Sequence, residues 1–279
     1  MTYRSIFVHV DDSDQTDLRL EAATRLARHY PAELTGAYIV STRDLTPTES
    51  ALLPADLVKA RMGTVAQAQK DAEHRFRKAA SAAGIKSVQW RAPAGDPVDA
   101  AVMQARYSDL AVVGQPVRKG PDAAFSTEVA NAVVMDSGRP VLFVPYIGAG
   151  KTLGERILIA WKDSRESARA VADALPFLKD AKAVLAIAVE PRDEESVQDY
   201  VSDKAVEGFL RRHDVDATVN RMVAPDIASG EFLLSRAADF GADLIVMGGY
   251  SRPRLSRLVW GGVSNLMLES MTVPVLMSH

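Results

Sequence analysis

The chain has 279 residues, 47% apolar and 25% charged, with a formal net charge of −3 and no cysteine. That is enough apolar material for one large or two ordinary domains; the mixed charge argues against a nucleic-acid partner, and the missing thiols exclude disulfides, thiolate metal sites and cysteine nucleophiles. No apolar run approaches the ~20 residues that span a bilayer, and the start lacks a signal peptide's apolar segment, so a soluble cytoplasmic protein without a membrane partner is expected.

In chain order, Ile6-Phe7-Val8-His9-Val10 is short, apolar and β-branched and ends at Asp11-Asp12-Ser13-Asp14. This predicts a buried strand followed by helix-capping residues. Leu18, Ala22, Leu26 and Tyr30 then recur at helical spacing. A second strand is expected over 34–40, a long helix over 55–83 and a short third strand over 88–90. Asp96-Pro97 is a helix start, a carboxylate N-cap followed by a proline where no amide donor is needed. Leu110-Ala111-Val112-Val113 reads as a buried strand ending at Gly114, followed by a loop, a helix over 126–136 and a strand over 140–144.

The pattern then repeats. Ile157-Leu158-Ile159-Ala160-Trp161 leads into Lys162-Asp163-Ser164 and a helix through Ala168, Val171 and Leu175. Strands are expected over 184–189, 217–222, 243–247 and 274–277, with a helix over 194–212. Gly114 and Gly248, Pro140 and Pro274, and Asp109 and Asp243 are each separated by 134 residues, whereas Ser13 and Ser164 are 151 apart. The first copy therefore holds 17 extra residues, which the Thr-, Ser- and Pro-rich stretch 41–54 best accommodates. Alternating strands and helices in two long copies predict duplicated α/β domains, residues 1–147 and 152–279, each a doubly wound, Rossmann-like parallel sheet in the order 3-2-1-4-5. Residues 145–150 are the expected linker.

In such a sheet, ligands sit beyond the carboxyl ends of the strands where the order reverses. The residues to examine therefore follow the first and fourth strands of each copy: Asp11 to Ser13, Gly114 onward, Lys162 to Ser164, and Gly248 onward. In the last of these, Gly248 and Gly249 open a loop that closes on Gly261 and Gly262 before a helix. Small residues at those places let backbone amides approach phosphate oxygens, and a helix N-terminus favours an anion. The same glycines also suit a turn and a tight helix–strand contact, and the spacing alone does not choose.

The motif resembles that of the universal stress protein family, which carries Asp-Gly-Ser after its first strand. Near its end that family has Gly-x-x-Gly, nine residues, Gly-Ser or Gly-Thr, a helix and a final Pro-Val strand. The chain looks like two successive members over nearly its whole length. In the second copy Gly248, Ser251, Gly261 and Gly262 fall on the motif positions, with Val263 and Ser264 next in the helix and Val189 as the residue whose backbone lies beside adenine. In the first copy Asp11 and Ser13 match the adenine-side motif and Ile39 the adenine-side backbone, but only Gly114 survives of the phosphate loop, and Thr127-Glu128 stands where the glycine pair belongs. Lys162 replaces the family's Asp in the second copy.

The resemblance implies a stress-response regulator or sensor that binds ATP, ADP or AMP mainly through its second domain, with Mg2+ only alongside ATP. It also implies an intrachain pseudo-dimer joined through the final strands, Val141–Val144 and 273–277, with a homodimer open. The alternative is a nucleotide-independent interaction module with decayed sites. Gly148-Ala149-Gly150-Lys151-Thr152 is not a P-loop, because Pro145 occupies its leading glycine position and a strand follows. The five histidines show no metal spacing, Asp11 to Asp14 lack loop ligands, and no nucleophile–base constellation supports an enzyme. Slow ATP hydrolysis, known in some relatives, stays open.

Overall fold

In a computed structural model the described residues are 2–41, 54–190, 197–223, 229–250 and 262–279. The first half runs β1 Ser5–Val10, α1 Thr16–His29, β2 Glu33–Tyr38, α2 Ala55–Ala82, β3 Val88–Arg91, α3 Pro97–Arg106, β4 Leu110–Gly114, α4 Ala123–Asp136 and β5 Val141–Val144. The second runs β6 Arg156–Trp161, α5 Arg165–Asp173, α6 Leu175–Asp180, β7 Ala183–Glu190, α7 Val197–Arg212, β8 Ala217–Val223, α8 Ser229–Phe240, β9 Leu244–Gly248, α9 Gly262–Ser270 and β10 Val275–Ser278. The stretch expected to hold most of the 17 extra residues lies largely outside the described residues.

The strands form one ten-stranded sheet in the order β3-β2-β1-β4-β5-β10-β9-β6-β7-β8. Each half therefore shows the expected order 3-2-1-4-5, parallel throughout. The halves meet through an antiparallel pair, Val275 opposite Phe143 and Met277 opposite Val141, as the family resemblance implies for the final strands.

Period-two alternation explains the two cores. Ile6, Val8, Leu110 and Val112, with Ile157, Ile159, Leu244 and Val246, face α1, α2, α5, α6 and α7. Phe7, Ala111, Val141 and Phe143, with Leu158, Ile245, Val275 and Met277, face α3, α4, α8 and α9. Strands buried on both sides read as continuous apolar runs, which is why the central ones are plain in the sequence.

The capping rule succeeds at two helices. Asp96 accepts from the amides of Val98 and Asp99 at 2.9 and 3.0 Å, with Pro97 at the first helical position, and Ser164 accepts from the Ser167 amide at 3.2 Å. It fails at α1, whose N-cap is Gln15 in a helical conformation with no side-chain cap. Across the joint, Tyr3 and Tyr30 of the first half pack on Phe177 of the second, and the Tyr3 hydroxyl donates to the Asp173 carbonyl at 2.7 Å.

Candidate functional site

Both crossovers place the residue after the first strand, the first turn of the next helix and the end of the fourth strand at one spot. One hydrogen bond is common to both. The Asp11 amide donates to Thr16 Oγ1 at 3.3 Å, and the Lys162 amide donates to Ser167 Oγ at 3.3 Å. Beyond it the halves differ.

In the first half the Asp11 carboxylate caps no helix, contrary to the sequence expectation. It accepts from the Ser13 amide and hydroxyl at 3.0 and 2.5 Å, from Thr16 Oγ1 at 2.7 Å, and pairs with the Arg19 guanidinium. Burial works to raise its pKa, but Arg19 foremost, with the two hydroxyls, holds the carboxyl well below the usual carboxylate range. Arg19 also donates from Nε to the His9 carbonyl at 3.1 Å and from Nη2 to Thr16 Oγ1 at 2.6 Å. It is buried, 4% exposed, and its Nη1 stands 2.5 Å from where a Cβ on Gly114 would be.

Ile39 completes this cluster. Its amide donates to the Val10 carbonyl at 2.9 Å, and its own carbonyl accepts from His9 Nε2 at 2.7 Å. Because a carbonyl only accepts, His9 Nε2 must carry the proton. Burial, with Arg19 adding to it, lowers the His9 pKa, so the ring stays neutral. Asp11, Ile39 and Gly114 are thus brought together around two protein side chains, Arg19 on Asp11 Oδ1 and His9 on the Ile39 carbonyl. A cavity of about 600 Å3 nearby is lined by Gln15, Val117, Arg118, Lys119 and Tyr146, and by none of those three.

In the second half Ala170 occupies the position of Arg19, and the helix itself moves in. A Cβ on Gly248 would lie 2.6 Å from the Ser167 amide nitrogen and 2.7 Å from the Glu166 carbonyl carbon. The glycine is there so that α5 can touch β9. Ser264 is buried, and its Oγ accepts from the Tyr250 amide at 3.3 Å, tying the start of the loop to α9. Ser126 does the same for Val117 at 2.9 Å in the first half.

Gly262 is different. Among the described residues nothing lies within 4 Å of a Cβ placed on it, and its φ is not in the left-handed range. Among the described residues neither packing nor backbone conformation calls for a glycine there. Val263 beside it is 37% exposed. Val189 pairs with Met222 inside the β7–β8 ladder, on the strand that ends at the same edge. Ser251 and Gly261 lie outside the described residues. In the first half α4 starts at Ala123, so the exposed Glu128, counterpart of Gly262, lies more than a turn inside its helix.

Arg19 is the residue that the sequence reading missed. The stripe Leu18, Ala22, Leu26 and Tyr30 captures only part of the inward face of α1, whose buried positions include Arg19, Leu20, Ala22, Ala23, Leu26 and Ala27. A charged residue at helical spacing from Ala22, Ala23 and Leu26, with alanine at its counterpart in the other copy, is the signal that was available. Among the described residues no cluster of side chains could hold a metal ion, and no helix is long and apolar enough to cross a membrane.

The comparisons with known proteins agree with this architecture. No curated protein matches the chain significantly. A universal stress protein from Archaeoglobus fulgidus DSM 4304 superposes with a TM-score of 0.73 at 16% identity, covering 98% of this chain and 95% of its own. A proposed universal stress protein from Pseudomonas aeruginosa UCBPP-PA14 gives 0.62 at 18% identity, covering 99% and 93%. The universal stress protein from Archaeoglobus fulgidus in complex with dAMP is 20% identical over 51% of this chain and 98% of its own, with a TM-score of 0.33. The sequence model of the universal stress protein family matches twice, over residues 2–145 and 154–279, and the chain belongs to that family as a tandem pair.

Proposed function

We propose that this protein is a cytoplasmic stress-response sensor or regulator that binds an adenine nucleotide mainly through its second half. The observation that carries the reading is the contrast between the two candidate ligand places. Arg19 fills the first site and pairs with Asp11 Oδ1, while Gly262 stands at the start of α9 with nothing among the described residues against it. A helix N-terminus with small residues around it suits phosphate oxygens, and the Val189 strand end supplies backbone on the adenine side. Mg2+ then arrives with ATP. A second reading, a nucleotide-independent interaction module, is favoured by the filled first site and by Lys162 at the second.

Calorimetry on the full chain with ATP, ADP and AMP, with and without Mg2+, decides between them. One nucleotide per chain is expected. Gly262→Glu adds bulk and negative charge at the open position and is expected to weaken binding at least about tenfold while the fold is kept. A folded Gly262→Glu variant that binds as tightly as wild type defeats the phosphate assignment. A wild type that binds no adenine nucleotide makes the interaction module the better reading.

A further inference from the structure

An approximate two-fold axis at the joint relates the turn that leaves β9 to the turn that leaves β4, and the two are anchored differently. Gln115 and Gly249, 134 residues apart, donate their amides in the same way, to the carbonyls of Val144 and Ser278 at 2.8 and 2.9 Å. Gln115 then fastens its turn with its own side chain. Its Oε1 accepts from the Tyr146 amide at 3.1 Å and its Nε2 donates to the Leu268 carbonyl at 2.8 Å. Gly249 has no side chain to use, and a Cβ there would lie 3.1 Å from Val134 Cγ1.

The second turn is fastened from the end of β10 instead. His279, whose counterpart is Pro145, donates from Nδ1 to the Gly249 carbonyl at 3.1 Å and accepts at Nε2 from Arg165 Nη2 at 3.3 Å. A carbonyl only accepts and a guanidinium only donates, so a neutral ring with its proton on Nδ1 is the one form that serves both. Gly249 is buried, and a buried carbonyl deprived of its donor is unfavourable. Arg165, where the first half has Asp14, is itself paired with Glu166 at 3.1 Å. One residue on, Tyr250 gives its amide to Ser264 Oγ at 3.3 Å, a bond that its counterpart Pro116 has no amide to make. Hydrogen bonds thus run without a break from the first turn of α5, through His279 and the turn, to the first turn of α9.

We propose that His279 is a positioning residue of the second half: it fixes the turn Gly248–Tyr250 against α5 and so sets where α9 begins relative to β9. Its contacts are with protein groups, so it acts on a ligand only through them. An anion held by backbone amides needs those amides at one spacing, and a turn that is already fixed spares the cost of ordering it on binding. That consequence rests on the adenine-nucleotide reading; the positioning itself does not.

The test uses the isotope-labelled full chain at mildly alkaline pH, where imidazoles are neutral. Ring-nitrogen NMR is expected to show His279 protonated on Nδ1, and a ring protonated on Nε2 overturns the proposal. His279→Ala is expected to speed hydrogen exchange at the Tyr250 amide at least about fivefold, and His279→Asn, which offers an N–H close to the place of Nδ1, to bring it back within about twofold of wild type. Unchanged exchange in the alanine variant overturns the proposal, and so does equal acceleration in both variants, which would assign the effect to bulk. Calorimetry with AMP is expected to follow the same order, with the alanine variant at least about fivefold weaker than wild type. Equal binding by wild type and the alanine variant overturns the role toward the ligand and leaves the nucleotide reading standing. A wild type that binds no adenine nucleotide defeats that reading, and the ring tautomer and the exchange rates then decide the positioning alone.

Discussion

The two crossovers share a backbone plan and use it in opposite ways. After β1, a carboxylate, an arginine and a histidine close on one another, so the crossover is filled from within by a side chain of α1. After β6 there is no such side chain, and α5 itself advances until its first turn touches Gly248. The same loss of a Cβ thus serves an arginine in one half and a helix backbone in the other. A glycine at the end of the fourth strand is therefore evidence of close approach, and what approaches has to be read from the opposite helix.

Removing the arginine is the strongest way to break this comparison. Arg19→Ala leaves Asp11 partly buried without its counter-charge and is expected to cost about 3 kcal/mol in denaturant unfolding. Adding Asp11→Ala in the same chain is expected to recover most of the loss, since the unpaired charge is the main cost. A loss below about 0.5 kcal/mol for the single variant would mean that the cluster is ornamental. The loop glycines sharpen the same point. Gly248→Ala forces a methyl group against the α5 backbone and is expected to cost about 2 kcal/mol, while Gly262→Ala stays within about 0.5 kcal/mol. Equal costs would remove the distinction between a packing glycine and an open one.

A further expected effect is a dependence on pH specific to the first half. His9 is neutral in the fold because burial lowers its pKa, and its unfolded value is near 6.5. Below that value the unfolded chain takes up a proton that the folded chain refuses. The His9 contribution is therefore complete above about pH 6.5 and is lost as pH falls, by at most about 1.4 kcal/mol per pH unit. His9→Gln is expected to flatten the slope between pH 7 and 5. An unchanged slope would show that the titration lies elsewhere.

Much of the fold is legible in the residues because the signals are repeated. The constant offset from Asp109 to Asp243 and from Pro140 to Pro274 ties the last two strands of each copy together, and the shared order 3-2-1-4-5 follows from the alternation. The site was less legible. An acid before a helix reads locally as a cap, and at Asp96 it is one; at Asp11 a side chain eight residues on captures the carboxylate instead. Gly248 looks the same in sequence whether it admits a phosphate or a helix, because both need the missing Cβ. Ser264 sits where a phosphate-facing hydroxyl could be expected, yet the loop amide of Tyr250 already uses it.

The antiparallel pairing of β5 with β10 has a consequence for how such a protein changes over time. When two identical chains pair edge to edge, every substitution is made on both sides of the axis at once, and each residue must be tolerable in two places. Here the partners are one polypeptide, and each side is written separately. A tyrosine can correspond to a proline, an arginine to an alanine, and an aspartate to a lysine, without either choice being copied across. Covalent joining therefore lets the two sides of the axis change independently, a freedom closed to a pair of identical subunits.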